Sequence, residues 1–167
     1  MKLASLDDLF LHEIRDLHSA EKQLTKALPK LAKAAHSVKL KKAFEDHLKE
    51  TEGQLERLDR ICELLGKSSR GPSCKAMEGL IEEGSELIKE EADPNVKDAA
   101  LIGAAQRVEH YEIAGYGTAR AFAELLGYSE AAKLLQETLA EEKGADEKLN
   151  DLALSEINAQ AEHAISE

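Results

Sequence analysis

Seven residues in this chain have the types and intervals of a metal site: Glu21, His47, Glu50, Glu109, Glu112, Glu142 and Asp146. Carboxylates are hard oxygen donors, and a set of carboxylates with an imidazole suits iron first and manganese second. Buried without partners, each carboxylate would cost several kcal/mol or stay protonated. A pair of divalent cations removes that cost. The densest stretch is QRVEHYEIAGYG, residues 106–117, where Glu109, His110 and Glu112 sit among Val108, Ile113 and Tyr116. Three polar residues in four cannot all face inward on a helix. Glu109 and Glu112 share the inward edge, while His110 either supports a ligand from behind or points outward. Tyr111 and Tyr116, close to the carboxylates, are packing residues or redox relays.

Four long amphipathic segments position these groups. The spacing predicts helices over about 5–35, 38–65, 94–126 and 129–157. In the first, Leu6, Phe10, Leu17, Leu24, Leu28 and Leu31 recur every three or four residues, with Glu21 on the same line. In the second, the stripe of Leu40, Phe44, Leu48, Leu55, Leu58 and Ile61 is interrupted by His47, Thr51 and Gln54, flanked by Glu50. In the third, Ile102, Gln106, Glu109, Ile113 and Tyr116 follow one line with Glu112 at its edge. In the fourth, Leu135, Thr138, Glu142, Leu149 and Leu152 do the same, with Asp146 one turn past Glu142. Ser5 is a plausible N-cap, Gly66 a plausible terminator, and Pro94 is tolerable in a first helical turn. Gly127 breaks the third helix from the fourth.

The crossover, residues 66–93, opens with the loop GKSSRGPS and holds a shorter helix over about 74–92. The order is helix, tight turn, helix, crossover, helix, tight turn, helix. It predicts an all-α, ferritin-like four-helix bundle of two antiparallel hairpins, in one domain over 1–167. An up-down-up-down bundle is the alternative, and the length of the crossover argues against it. The last ten residues are expected to fray.

Residues equally far from a hairpin turn lie at equal depth. Pairing Leu31 with Leu40 and Leu6 with Leu65 sets Glu21 opposite Glu50, and Leu24 opposite His47. Pairing Ile102 with Ala153 and Tyr116 with Leu139 sets Glu109 opposite Asp146, and Glu112 within one residue of Glu142. The register is good to about one turn, ~5 Å. Each hairpin thus brings its inward carboxylates to one level.

Composition bounds the function classes. With 43% apolar residues in 167, the chain is long enough to bury a core. A net charge of −11 argues against nucleic acid and anionic membranes as partners. The first 43 residues are an exception, with nine Lys/Arg against five Asp/Glu, which reads as a solvated basic face. Cys62 and Cys74 form no CxxC pair, so neither a redox motif nor a zinc site is indicated. No apolar run has the length of a membrane span or a signal peptide, so a cytoplasmic location is expected.

HEIRDLHSAEKQL, FEDHLKETEGQLERL, AAQRVEHYEIAGYGT and LLQETLAEEKGADEKL, in that order over about 5–152, resemble the YciE/YciF-type ferritin-like bacterial stress proteins. The resemblance implies a homodimer rather than a storage cage, a cytoplasmic location and a stress-linked role. It carries ferritin-like ligand roles to Glu21 on the first helix, Glu50 on the second, Glu109 or Glu112 on the third and Glu142 on the fourth. The sequence departs from ferritins in having no Glu-x-x-His. His47-x-x-Glu50, Glu109-x-x-Glu112 and Glu142-x-x-x-Asp146 stand in its place. Two function classes follow. One is a dinuclear metal protein that handles iron or manganese and O2 or peroxide, an oxidoreductase of ferroxidase, peroxidase or catalase type. The other is a non-catalytic structural or partner-binding bundle with a degenerate site.

Overall fold

The computed structural model describes residues 3–164 and is helical without strands among them. Helices α1 (Leu6–Ala34) and α2 (Val38–Leu64) form one hairpin, and α4 (Pro94–Leu125) and α5 (Ser129–Leu152) form the other. The crossover carries α3 (Lys75–Lys89). Past α5 the chain widens into one π-helical turn, Ala153–Ile157, and continues as α6, Asn158–Glu162. Ala153 and Ile157 are buried and hold the π-helical turn against α4. Fraying is expected over the last ten residues, 158–167; of these, 158–162 are helical and lie against α4. Residues 165–167 of that stretch lie outside the described residues.

Local chemistry sets the helix ends. The Asp8 N–H donates to Ser5 Oγ, and the Asp8 carboxylate accepts the Ser5 N–H, a reciprocal cap that opens α1. Cys74 Sγ accepts the Met77 N–H at the start of α3, and Asp93 accepts the Asn95 and Val96 N–H groups ahead of Pro94. Gly66 and Gly127 adopt φ of +63° and +77°, which lets α2 and α4 stop with left-handed residues.

The two hairpins pack side by side, α1 against α4 and α2 against α5, with α3 laid over α1 and α4. The turn joining α1 to α2 sits beside the start of α4, where Asp98 accepts the His36 N–H at 2.8 Å and the Ser37 N–H at 2.6 Å. At the opposite end Phe10 of α1 stacks on Tyr128 of the α4–α5 turn, centroids 5.7 Å apart. Helix α2 therefore ends at one pole and α4 begins at the other, and residues 66–93 must span the bundle. That geometry is the ferritin-like crossover; up-down-up-down is excluded.

The core comes in two parts. One surrounds Leu24, Leu28, Leu40, Phe44, Leu101 and Ile102, with Met77 of α3 packed into it. The other surrounds Phe10, Ile14, Leu58, Ile61, Tyr116 and Leu135. Each fully buried Leu, Ile or Phe contributes about 1.5–3 kcal/mol. Between the two parts lies a buried polar layer: Glu21, His47, Thr51, Gln54, Glu109, Glu112, Thr138 and Glu142.

Candidate metal centre

Each helix sends its share of this layer inward by the same arithmetic. Leu17, Glu21 and Leu24 lie four and three residues apart on α1, and His47, Thr51 and Gln54 on α2. Glu109, Glu112 and Tyr116 continue the pattern on α4, and Thr138 and Glu142 on α5. At that spacing they occupy the face their apolar neighbours bury, so packing of the two apolar clusters forces the carboxylates inside.

His47, Glu109, Glu112 and Glu142 each present one ligand atom, and these atoms lie within 4.8 Å of one another. His47 Nε2 is 3.3 Å from Glu109 Oε1 and 3.8 Å from Glu142 Oε2. His47 Nδ1 lies 3.2 Å from Glu50 Oε2, whose acidity that contact strengthens, so Glu50 is an ionised acceptor and Nδ1 carries the proton. In the neutral imidazole the Nε2 lone pair is thereby turned to the carboxylates. Tyr116, completely buried, donates its hydroxyl hydrogen to Glu21 Oε1.

The layer is otherwise starved of partners. Both carboxyl oxygens of Glu112 and of Glu142, Oε2 of Glu21 and of Glu109, and His47 Nε2 are buried without a hydrogen-bond partner. Burial, together with the Glu142 charge, lifts Glu21 from the ordinary 4.5 to about 8. Burial, together with the Glu21 and Asp146 charges, lifts Glu109 to about 8. Glu112 is raised by burial and by Glu21, Glu142 and Glu109, and Glu142 by burial and Glu109. Burial would push His47 down, but the Glu50 hydrogen bond and the Glu142 and Glu21 charges leave it raised. Orphaned carboxylate oxygens facing an imidazole lone pair are the donor set a divalent cation satisfies, and the group can hold a metal ion.

The seven residues singled out by sequence divide into an inner and an outer set. Glu21, His47, Glu109, Glu112 and Glu142 are buried in the polar layer. Glu50 and Asp146 stand at its rim, with side chains 36% and 22% exposed. Asp146 is turned away by its own partners, accepting from Gln106 Nε2 at 3.1 Å and pairing with His110 Nε2 at 3.3 Å. His110 itself points outward, its side chain 69% exposed. Tyr111 faces Asp16 and Cys74 rather than the carboxylates. Cys62 and Cys74 are both free and buried.

Periodicity alone did not single out the support beside the layer. Arg57 holds Glu141 through two bonds of 2.7 and 2.6 Å and reaches Thr138 Oγ1 at 3.1 Å, joining α2 to α5. Gln54 Nε2 adds a bond to the same Glu141 at 3.1 Å. The available signal was Arg57 three residues after Gln54, on the inward edge of α2.

A ferritin-like four-helix bundle, cut through the middle by a His/Glu cluster able to hold a metal ion, is the class of protein this fold and site define. The chain belongs to the family described as domain of unknown function (DUF892), whose model matches residues 5–162. It is 53% identical over 164 residues to protein YciF of Escherichia coli (strain K12), across 98% of this chain and 99% of that one. The crystal structure of the E. coli stress protein YciF matches with a TM-score of 0.90 at 54% identity, over 93% of this chain and 98% of that one. YcfI from Rhodopseudomonas palustris, for which a structural role is suggested, matches at 0.86 and 46% identity, over 89% and 95%. A protein from Xanthomonas campestris pv. campestris shares the fold at 0.75 and 22% identity, over 95% and 97%. The chain is thus a homologue of a bacterial stress protein. Among the described residues no helix is long and apolar enough to cross a membrane.

Proposed function

We propose that this chain is a dinuclear metal protein that binds two divalent cations, iron first and manganese second, and handles O2 or peroxide in stress protection. The observation that carries this reading is the set of orphaned oxygens on Glu21, Glu109, Glu112 and Glu142 around His47 Nε2. Those five residues would hold the cations, with Glu50 at the rim within reach of His47. Bound there, iron or manganese would supply one-electron chemistry toward a small oxidant. The chain's own residues would orient and enclose. Glu50 fixes the His47 tautomer, Tyr116 fixes one oxygen of Glu21, and the two apolar clusters exclude bulk water. With Tyr116 hydrogen-bonded to Glu21, the relay role belongs to Tyr116 before Tyr111. The protein would act as a cytoplasmic homodimer without nucleic acid or membrane as a partner. Light scattering on the purified chain tests the dimer.

The test of the site is reconstitution with Fe2+ or Mn2+ without oxygen, followed by elemental analysis and a peroxide-consumption assay. About two cations per chain are expected, lost on Glu112→Ala or Glu142→Ala. Unchanged cation content in both variants would sink the ligand assignment.

A second reading has its own support. The structural role suggested for the R. palustris relative, and the missing Glu-x-x-His, favour a non-catalytic bundle with a degenerate site. Cations bound without any turnover of O2 or peroxide would decide for it.

A further inference from the structure

The buried carboxylates need a way in for their cation, and the four seams of the bundle are not equivalent. The seams within the two hairpins, α1–α2 and α4–α5, are the most extensively packed. The α1–α4 seam is covered by α3, whose Met77 is fully buried beneath it. A cavity of about 30 Å³ lies under α3, walled by Leu24, Ala27, Leu80, Ile81 and Val108. Its lining holds no carboxylate or imidazole, and Lys30 there would repel a cation. Among the described residues no helix covers the remaining seam, α2–α5, which Arg57 and Gln54 bridge to Glu141 farther along.

We propose that cations reach the buried site through the α2–α5 seam, at the gap between Ala43 and Ala145. A small cavity opens there. Ala43 and Phe44 of α2 and Ala145 and Leu149 of α5 wall it, with the buried His47 and Glu109 inside and the more exposed Glu50 and Lys148 toward solvent. Its volume of about 10 Å³ is about that of one water-sized sphere, narrow enough that a cation must exchange water for protein oxygen on the way. Glu50 supplies that oxygen. Among the described residues it is the one carboxylate that both reaches solvent and touches His47, so it can receive a hydrated cation outside and pass it inward. The two alanines keep the gap open, since any larger side chain at either position would fill it. Lys148 places a positive charge at the mouth and slows cation arrival, a brake on uptake independent of the ligands within.

This inference rests on the metal reading above. Uptake of Co2+ by the metal-free full-length chain, followed by stopped-flow absorbance, tests it with a readout other than turnover. Ala43→Leu and Ala145→Leu should each slow uptake roughly tenfold, with wild-type circular dichroism and the same final cation count. Lys148→Glu should quicken uptake by an amount that shrinks as salt is added. Ala27→Leu, under α3, should leave the rate as in wild type. Wild-type rates in both alanine variants and in Lys148→Glu overturn the route and leave the metal reading standing. Slow uptake in Ala27→Leu alone also overturns it, placing access under α3. A wild-type chain that takes up no Co2+ removes the metal reading and the route together. If the leucine variants fail to fold, Lys148→Glu decides, because its side chain is exposed.

Discussion

At the scale of single residues, the polar layer works against stability whenever no cation is bound. Glu112 is completely buried and neither of its oxygens has a partner, so its ionised form is disfavoured by burial and by three neighbouring carboxylates. Glutamine has nearly the same shape and cannot ionise. Glu112→Gln is therefore expected to leave the metal-free chain about as stable as wild type in acid, and more stable as pH rises. The same change should weaken cation binding. Melting curves with and without Co2+ check both halves, and a variant less stable at high pH would contradict the burial argument. Function of this kind is held at a cost in stability.

At the scale of elements, the hairpins are registered by a few specific contacts. Asp98 accepts the His36 and Ser37 N–H groups of the α1–α2 turn, and it is 1% exposed. Asp98→Ala removes the charged acceptor of two part-buried N–H groups and should cost about 2 kcal/mol, read as a shift in the denaturant midpoint. Helix glycines split by surroundings. Added methyl groups at Gly53 and Gly144 would meet nothing within 4 Å, so Ala there should stabilise by about 1 kcal/mol through helix propensity. At Gly115 a methyl would come within 2.8 Å of Leu17 Cδ2, in a side chain that is 1% exposed. Gly115→Ala should therefore fail to show that gain. Equal stabilisation at all three positions would show that Leu17 has room to move.

At the scale of the whole molecule, the raised carboxylates set how stability depends on pH. Glu21 and Glu109 titrate near 8 in the folded chain, against an ordinary 4.5. Below the ordinary value both states are protonated, and the folded chain keeps its full stability. Between the two values the unfolded chain releases protons that the folded one retains, so metal-free stability falls as pH rises. His47, also raised, acts in the same direction. Cation binding needs these groups deprotonated, so it should strengthen over the same range and release protons. The metal-free melting temperature should thus fall from about pH 5 to about pH 8, while the rise on adding Co2+ grows. A cation-induced rise that shrinks with pH would contradict the assignment of these carboxylates as ligands.

Sequence by itself determined the elements. Apolar residues at three- and four-residue intervals mark four long helices, and the positive-φ glycines at 66 and 127 and the proline at 94 mark where they stop or start. Equal distance from each turn placed Glu112 near the level of Glu142 and Glu109 opposite Asp146, one turn away, because a hairpin leaves little freedom in depth. Rotation about each helix axis was less constrained. A residue at the edge of a stripe can face the core or the rim for a turn of a few tens of degrees, and only packing against a neighbour chooses. Packing put Glu50 at the rim, where it holds the back of His47, and gave Asp146 to Gln106 and His110. Which helices touch across the hairpins was also a tertiary decision. The crossover laid α3 over one seam and no helix over α2–α5, and contacts so distant along the chain leave no periodic trace in it.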